Sequence, residues 1–369
     1  MQEILYIGLS QSLFAGLMIS IKKPQQLADR ILAAWLFMIS LEMAIAIINI
    51  KFITVSAFAV VPFTYGPLLY FYVKSLTTEK PKIKLSFWLH FIPFILFLIL
   101  SVIYRDKDVI NLLGFFNIDA YIKLRVFYSA SFFISITTYS LITFVIIAKH
   151  QRNIKNLFSY TSEKITLSWL KFVSIFFYIT YLLMFSGGLI TIVEKLNFNP
   201  IEVSYFGLTL FAFAFSFYGY KQSGILSEFD KTLIIENNKK KKPRYEKSGL
   251  KKKDAEIILK RLLEYMGKDK PYLKSNLTIQ DLADSLDVSR HHLTQVINEK
   301  LNKNFYTFIN EYRVEEMKRK LLNKKYNKYT LDVLAYDSGF NSKSSFHSAF
   351  KSITGMTPAE FKKKNNHNS

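Results

Sequence analysis

No cysteine occurs in the 369 residues. Disulfides, thiol nucleophiles and Cys-ligated metals are thereby excluded, and a soluble part without cysteine suits a reducing compartment. The start, Met1-Gln2-Glu3, has no basic segment ahead of its first apolar run. Lys22 and Lys23 follow that run instead, so no cleavable signal peptide is expected. Other signatures are missing as well: an HExxH pair, paired aspartates, a chain of acids or histidines inside the apolar stretches, a nucleophile–base set, a phosphate-binding glycine loop and the regions that histidine-kinase or receiver chemistry needs. The expectation is no enzyme, no cofactor and no metal site, and proton-driven transport or membrane proteolysis is disfavoured.

What is present is an uneven pairing of grease and charge. Half the residues are hydrophobic, yet the net charge is +21, with mean hydropathy +0.15. The two properties separate along the chain. Residues 1–220 carry 18 Lys/Arg against 10 Asp/Glu, a balance of +8; the remainder carries 31 against 18, a balance of +13. This predicts an all-α chain in three parts: a seven-helix transmembrane bundle over 1–220, a basic juxtamembrane linker over 221–249, and a soluble basic domain over 250–369. A basic soluble domain points to nucleic acid or an anionic membrane face.

Seven apolar stretches approach the ~20 residues that a hydrocarbon core requires: Ile4–Ile21, Ile31–Ile50, Phe52–Val73, Leu85–Tyr104, Leu124–Ala148, Trp169–Val193 and Ser204–Tyr220. Pro62 and Pro67 interrupt the third, where a kink is expected. With the N-terminus outside, the inner loops hold eleven basic residues (Lys22, Lys23, Arg30, Lys74, Lys80, Lys82, Lys84, Lys149, Arg152, Lys155, Lys164). The outer loops hold five (Lys51, Arg105, Lys107, Lys123, Lys195). That bias places the C-terminal domain in the cytoplasm and the chain in the inner, cytoplasmic membrane. Tyr6, Tyr70, Tyr72, Trp88, Tyr104, Tyr121, Tyr128, Trp169 and Tyr220 near span ends are expected to form an interfacial belt. Gly114-Phe115-Phe116 in the longest outer loop reads as a connector with an interfacial aromatic pair, or as part of an external lid. Gly187-Gly188 reads as a close helix packing. Glu42 is the one carboxylate deep in a span. It reads either as a ligand or proton site, and so a membrane signal site, or as a structural hydrogen bond to a Ser, Thr or Tyr hydroxyl. In the linker, Lys239–Lys242, Pro243 and Arg244 cannot build a core; membrane lipid headgroups are the favoured partner, with non-specific DNA contact the alternative.

In the last part, Leu250–Met266 reads as an amphipathic helix packing on its own domain, or as the seam of a homodimer. Thr278, with Asp281 three residues on, predicts a capping box for a helix over Ile279–Ser285. Asp287-Val288 makes a turn, and Ser289 caps a second helix whose Leu293, Val296 and Ile297 face inward. Arg290, His291, Thr294 and Gln295 are left on its other face, able to reach base edges in a major groove. Adjacent His291 and His292 point in different directions, which disfavours zinc. A long helix over Phe305–Leu322 follows, roughly 27 Å at ~1.5 Å per residue, and the design repeats. Leu331–Ala335 build a helix, Asp337-Ser338-Gly339-Phe340 turns, and Asn341 or Ser342 caps a helix that leaves Lys343, Ser344, His347, Ser348 and Lys351 free for DNA. Gly355 and Thr357-Pro358 close the unit, and a last helix runs from Pro358 to Lys364.

The stretch from Leu334 to Lys363, with Ala335, Gly339-Phe340, Phe346, Phe350-Lys351, Gly355 and Thr357-Pro358, resembles the signature of the AraC/XylS transcription regulators. The stretch from Leu277 to Asn298 is similar to that family's first motif. The resemblance covers about residues 250–365. It implies two helix-turn-helix units on a linker helix, reading successive major grooves of double-stranded DNA. It implies base readout from His291 and Gln295 in the first unit and from Lys343, Ser344 and Ser348 in the second. The whole chain resembles membrane-bound regulators of this kind with seven N-terminal spans. The expected function is a membrane-embedded one-component regulator answering an unknown small-molecule or membrane signal. The alternative is a transporter-like bundle with a regulatory or protein-docking tail.

Overall fold

A computed structural model describes residues 2–51, 60–78, 85–104, 120–194, 200–222 and 250–366. The expected basic linker and the Gly114-Phe115-Phe116 loop lie outside the described residues. In chain order the helices are α1 (Gln2–Ser20), α2 (Leu27–Lys51), α3 (Tyr65–Thr77), α4 (Ser86–Leu89), α5 (Ile92–Ile103), α6 (Ile122–Ile154), α7 (Glu163–Thr166), α8 (Ser168–Glu194) and α9 (Pro200–Gln222). There follow α10 (Lys252–Lys268), α11 (Ile279–Ser285), α12 (Arg290–Lys300), α13 (Phe305–Leu322), α14 (Leu331–Asp337), α15 (Lys343–Thr354) and α16 (Pro358–Asn366). The described residues are helical apart from turns and one isolated antiparallel bridge, Phe158 with Thr278. Two compact units emerge: Met1–Lys149 with Leu167–Ile235, and His150–Thr166 with Glu236–Ser369. The segment read from sequence as an inner loop of the bundle thus groups with the C-terminal unit.

In the first unit, α1, α2, α6, α8 and α9 are long and apolar enough to cross a bilayer. The other two expected spans hold shorter helices. A 3-10 turn, Val61–Thr64, carries Pro62 in its first turn and leads into α3. The break between α4 and α5 falls at His90 and Phe91, with Pro93 at the start of α5. In both places proline, lacking an N–H, sits where a helix begins and cannot continue one.

This unit keeps large apolar side chains on its outside as well as its inside. Phe14, Ile134, Val145 and Phe172 are each more than 60% exposed, a surface that water disfavours and hydrocarbon accepts. Inside, Trp35 is fully buried, with ring centroids of Phe211, Phe215 and Phe177 at 4.7, 5.4 and 5.6 Å. Phe63 and Phe97 stack at 4.8 Å, with Tyr128 and Phe132 edge-on to Phe63. Close helix approach falls on small residues, as packing in lipid favours. A Cβ at Gly207 in α9 would stand 2.1 Å from Thr180 Cγ2 in α8.

In the second unit, α10 buries Ala255, Ile258, Leu262 and Met266 and packs on α12, the intramolecular alternative for that amphipathic face. The α11–α12 pair buries Leu282, Ala283, Leu286, Leu293, Val296 and Ile297. The α14–α15 pair closes on α13 through Val314, Met317, Leu321, Phe340, Phe346 and Phe350. The same hairpin therefore occurs twice along one 18-residue helix, α13.

Gly207→Val drives a branched side chain into Thr180. The detergent-solubilised protein is expected to lose about 1–3 kcal/mol of stability, read as a lowered melting temperature. Combining it with Thr180→Ala is expected to recover most of the loss, because the clash and its relief share one contact.

Candidate nucleic-acid interface

Both reading helices are fixed at their starts by side-chain caps. In α11, Thr278 Oγ1 accepts from the Asp281 N–H at 3.2 Å, and Asp281 returns the bond by accepting from the Thr278 N–H at 2.8 Å. This completes the expected capping box. The turn into α12 uses Asp287 at φ +50°, and Ser289 Oγ accepts from the His292 N–H at 3.1 Å. In the second unit Ser342, rather than Asn341, is the cap of α15, accepting from the Ser345 N–H at 3.2 Å. Gly355 at φ +78° ends that helix.

The expected DNA-facing residues divide. On α15, Lys343, Ser344, Ser348 and Lys351 are exposed and His347 is half-buried. Lys343 pairs with Asp332 at 3.1 Å on the surface, a contact weak enough to exchange for phosphate or base. On α12, Ser289 is exposed, and Arg290 and His291 are half-buried. Burial holds the Arg290 guanidinium below its ordinary pKa. Thr294 and Gln295 are buried, 8% and 6% exposed, so the expectation of a free face at these two positions is corrected. The Thr294 hydroxyl turns back to the Arg290 carbonyl at 2.8 Å, and Gln295 Nε2 donates to Glu299 at 3.2 Å. The physical reason is that α12 packs against α10, α11 and α13 together. A face counted free in a two-helix hairpin is smaller in this one.

The two hairpins are joined through a residue that the apolar pattern concealed. Arg313 lies four residues after Ile309 and four before Met317, on the buried stripe of α13, and is 1% exposed. Its Nε donates to the Tyr272 carbonyl at 2.8 Å. Nη1 donates to the Ser159 carbonyl at 2.7 Å and to Asn310 Oδ1 at 3.3 Å. Nη2 donates to Ser159 Oγ at 3.0 Å and to the Lys274 carbonyl at 2.8 Å. All five N–H groups of a guanidinium are thereby used. Burial pushes its pKa down to about 10, so it stays charged at neutral pH. The Phe340 ring of the second hairpin lies 5.9 Å from the guanidinium carbon. Gly339, at φ +91°, brings that turn so near that an added Cβ would stand 2.2 Å from the Tyr272 carbonyl oxygen. The sequence signal for Arg313 was available: a charged residue at an i+4 position of an apolar stripe has to be satisfied internally.

Residues 282–364 match the helix-turn-helix domain family, and this segment is an AraC-type helix-turn-helix domain. Among curated proteins, the chain is 33% identical over 96 residues to an uncharacterized HTH-type transcriptional regulator of Pseudoalteromonas carrageenovora, covering 25% of this chain and 55% of that one. It is 30% identical over 89 residues to an uncharacterized HTH-type transcriptional regulator of Bacillus subtilis, covering 24% of this chain and 30% of that one. It is 30% identical over 91 residues to an uncharacterized HTH-type transcriptional regulator of Staphylococcus aureus (strain COL), covering 25% and 12%. The chain therefore spans about half, or less, of the length of these relatives.

Gly339→Ala imposes a left-handed backbone on an L side chain and a clash with backbone oxygen. Stability of the C-terminal unit is expected to fall by about 1–3 kcal/mol. Denaturant unfolding combined with hydrogen exchange, which assigns the loss to the turn between α14 and α15, is the measurement.

Proposed function

We propose that the chain is a membrane-embedded one-component transcription regulator. It binds promoter DNA sequence-specifically through α12 and α15, under control of a signal sensed in or through the apolar bundle. The observation that carries this reading is the pairing of two N-capped reading helices on one linker helix, in a chain whose other unit has five helices of spanning length. The ~27 Å of α13 suits headpieces set about one duplex turn, ~34 Å, apart. The similarity to HTH-type transcriptional regulators supports the DNA-binding part.

Seven crossings with the N-terminus outside put the headpiece in the cytoplasm, on the inner face of the cytoplasmic membrane. The lysine and arginine bias of the loops supports this orientation. Base readout falls to Arg290 and His291 at the start of α12 and to Lys343, Ser344, His347, Ser348 and Lys351 on α15. Ser289 and Ser342 lie at the two helix starts, where phosphate oxygens approach backbone N–H groups.

Glu42 is the signal site of the bundle in this reading. Its carboxylate accepts from the Tyr65 hydroxyl, so the structural hydrogen bond is present. The interior around it holds unmet polarity as well. Tyr181 and Tyr205 are buried in the same core as Tyr65. Both hydroxyls, and Trp35 Nε1, have no hydrogen-bond partner among the described residues. Unpaired N–H and O–H groups in the interior that also buries a carboxylate are what a polar ligand carrying hydrogen-bond acceptors would satisfy.

Lys343→Ala is expected to weaken binding at the preferred sequence by about 5- to 150-fold, the equivalent of ~1–3 kcal/mol, with much less effect on random DNA. Alanine at Lys240, Lys241 and Lys242 is expected to act on the salt dependence instead, lowering the slope of log K against log salt by up to ~3. Genome-wide mapping of bound DNA and titrations at two salt concentrations measure both. Equal losses on all sequences for Lys343→Ala would remove the readout assignment. Glu42→Gln keeps the shape and the Tyr65 contact, and is expected to change the basal output of a target-promoter reporter several-fold while leaving protein abundance unchanged. An unaltered output would strip Glu42 of the signal role.

A further inference from the structure

The segment between α6 and α7 is short, polar in outline and read from sequence as a connector. It is nevertheless among the most buried parts of the second unit: Leu157, Phe158 and Ser159 are each at most 1% exposed. Phe158 pairs with Thr278 in an antiparallel bridge. The Ser159 N–H donates to the Leu277 carbonyl at 3.2 Å, and the Ile279 N–H donates to the Leu157 carbonyl at 3.0 Å. Ile279 opens α11, so its N–H is one of those a helix start leaves without an intrahelical acceptor. The Lys155 carbonyl does the same for α13, accepting from the Tyr306 N–H at 2.9 Å. Ser159 gives both its oxygens to Arg313, and its carbonyl also accepts from Asn310 Nδ2 at 3.2 Å. Thr161 Oγ1 is 3.2 Å from Ser345 Oγ, in the first turn of α15. Seven residues, 155–161, thus touch the first hairpin, the linker helix and the second reading helix.

We propose that residues 155–161 are a clasp: a strand-like segment between α6 and α7, seated in a groove of the DNA-reading headpiece, that sets the relative placement of α12 and α15. This rests on the regulator reading and names its means of control. The occupant of the groove is given by the chain itself. The segment leaves α6 at Ile154 and enters α7 at Glu163, and α7 leads directly into α8 at Ser168. A change in the spacing or rotation of α6 against α8 therefore acts on the clasp by covalent connection. Unseating it withdraws the first-turn acceptors of two helices and two of the six acceptors of Arg313, so the headpiece has two distinct arrangements rather than a continuum. A loop whose only task is to join two spans has no need to bury a Leu-Phe pair or to cap helices that follow it by more than a hundred residues.

The absence of cysteine makes the test clean. The flanking bonds make Phe158 and Thr278 a non-hydrogen-bonded pair, with Cα atoms about 4.5 Å apart, inside the range a disulfide spans. Full-length protein carrying Phe158→Cys and Thr278→Cys is reconstituted in lipid nanodiscs. It is titrated, oxidised and reduced, with the genomic fragment that the wild-type protein enriches most and with a scrambled fragment. The reduced form controls for the lost phenyl ring and the lost Thr278 cap. The oxidised, locked form is expected to differ from the reduced form at least tenfold in affinity for the enriched fragment. Phe158→Asp, which unseats the segment, is expected to shift affinity away from wild type in the direction opposite to the lock. Equal affinity of the oxidised and reduced forms, or shifts of the lock and Phe158→Asp in the same direction, overturns the clasp while leaving sequence-specific binding in place. Failure of every form, wild type included, to prefer the enriched over the scrambled fragment overturns the regulator reading itself.

Discussion

A buried guanidinium sets the terms for the C-terminal unit. Removing an ionised group from water costs several kcal/mol unless its hydrogen-bonding capacity is met. Arg313 meets that requirement entirely with carbonyl, hydroxyl and amide oxygens. Those oxygens come from residues 159, 272, 274 and 310, and the second hairpin closes over the group with Phe340. Separate stretches of chain must therefore hold their positions to within hydrogen-bonding tolerance. Two small hairpins that share little core between them gain a common reference point, and the placement of one reading helix relative to the other follows from it.

The two reading helices are unequal partners. The second presents lysine, serine and histidine at its surface, whereas the first keeps Thr294 and Gln295 under cover and offers chiefly its N-terminal end. Short hydroxyl side chains need close approach to base edges. In the proposed readout, a serine-rich α15 would depend on groove shape and on the lysines at positions 343 and 351 to bring it in, more than on bidentate arginine contacts. Recognition built this way is sensitive to small changes in how far each helix enters its groove.

Much of the headpiece was legible in the sequence because its signals are local. Thr278 with Asp281, Ser289, Ser342 and Gly339 each announce a cap or a turn within a few residues, and α11 and α13 fall on the bounds that the caps and apolar steps predict. The burial of Thr294 and Gln295 was not legible, since it depends on α10 reaching α12 across an interval of sequence. The seating of residues 155–161 was hidden for the same reason: a single bridge leaves no alternation to detect. Its one signal was the Leu157-Phe158 pair, apolar in a loop that otherwise reads as lysine, asparagine and serine. Among the described residues of the first unit, five helices are long and apolar enough to answer to the hydropathy pattern. The regions around Pro62 and Pro93 hold shorter helices, because proline breaks the continuity on which length arguments rest.

The bond between Ser159 and Leu277 spans 118 residues of sequence, and the ribosome makes the earlier partner first. At roughly 5–20 residues per second, Leu157 and Phe158 emerge about 6–24 s before the surface that covers them. During that interval two apolar side chains lack the partners that later bury them. The C-terminal part then completes its fold on a segment made earlier. Vectorial synthesis thereby makes the maturation of the C-terminal unit wait on a segment from the middle of the chain.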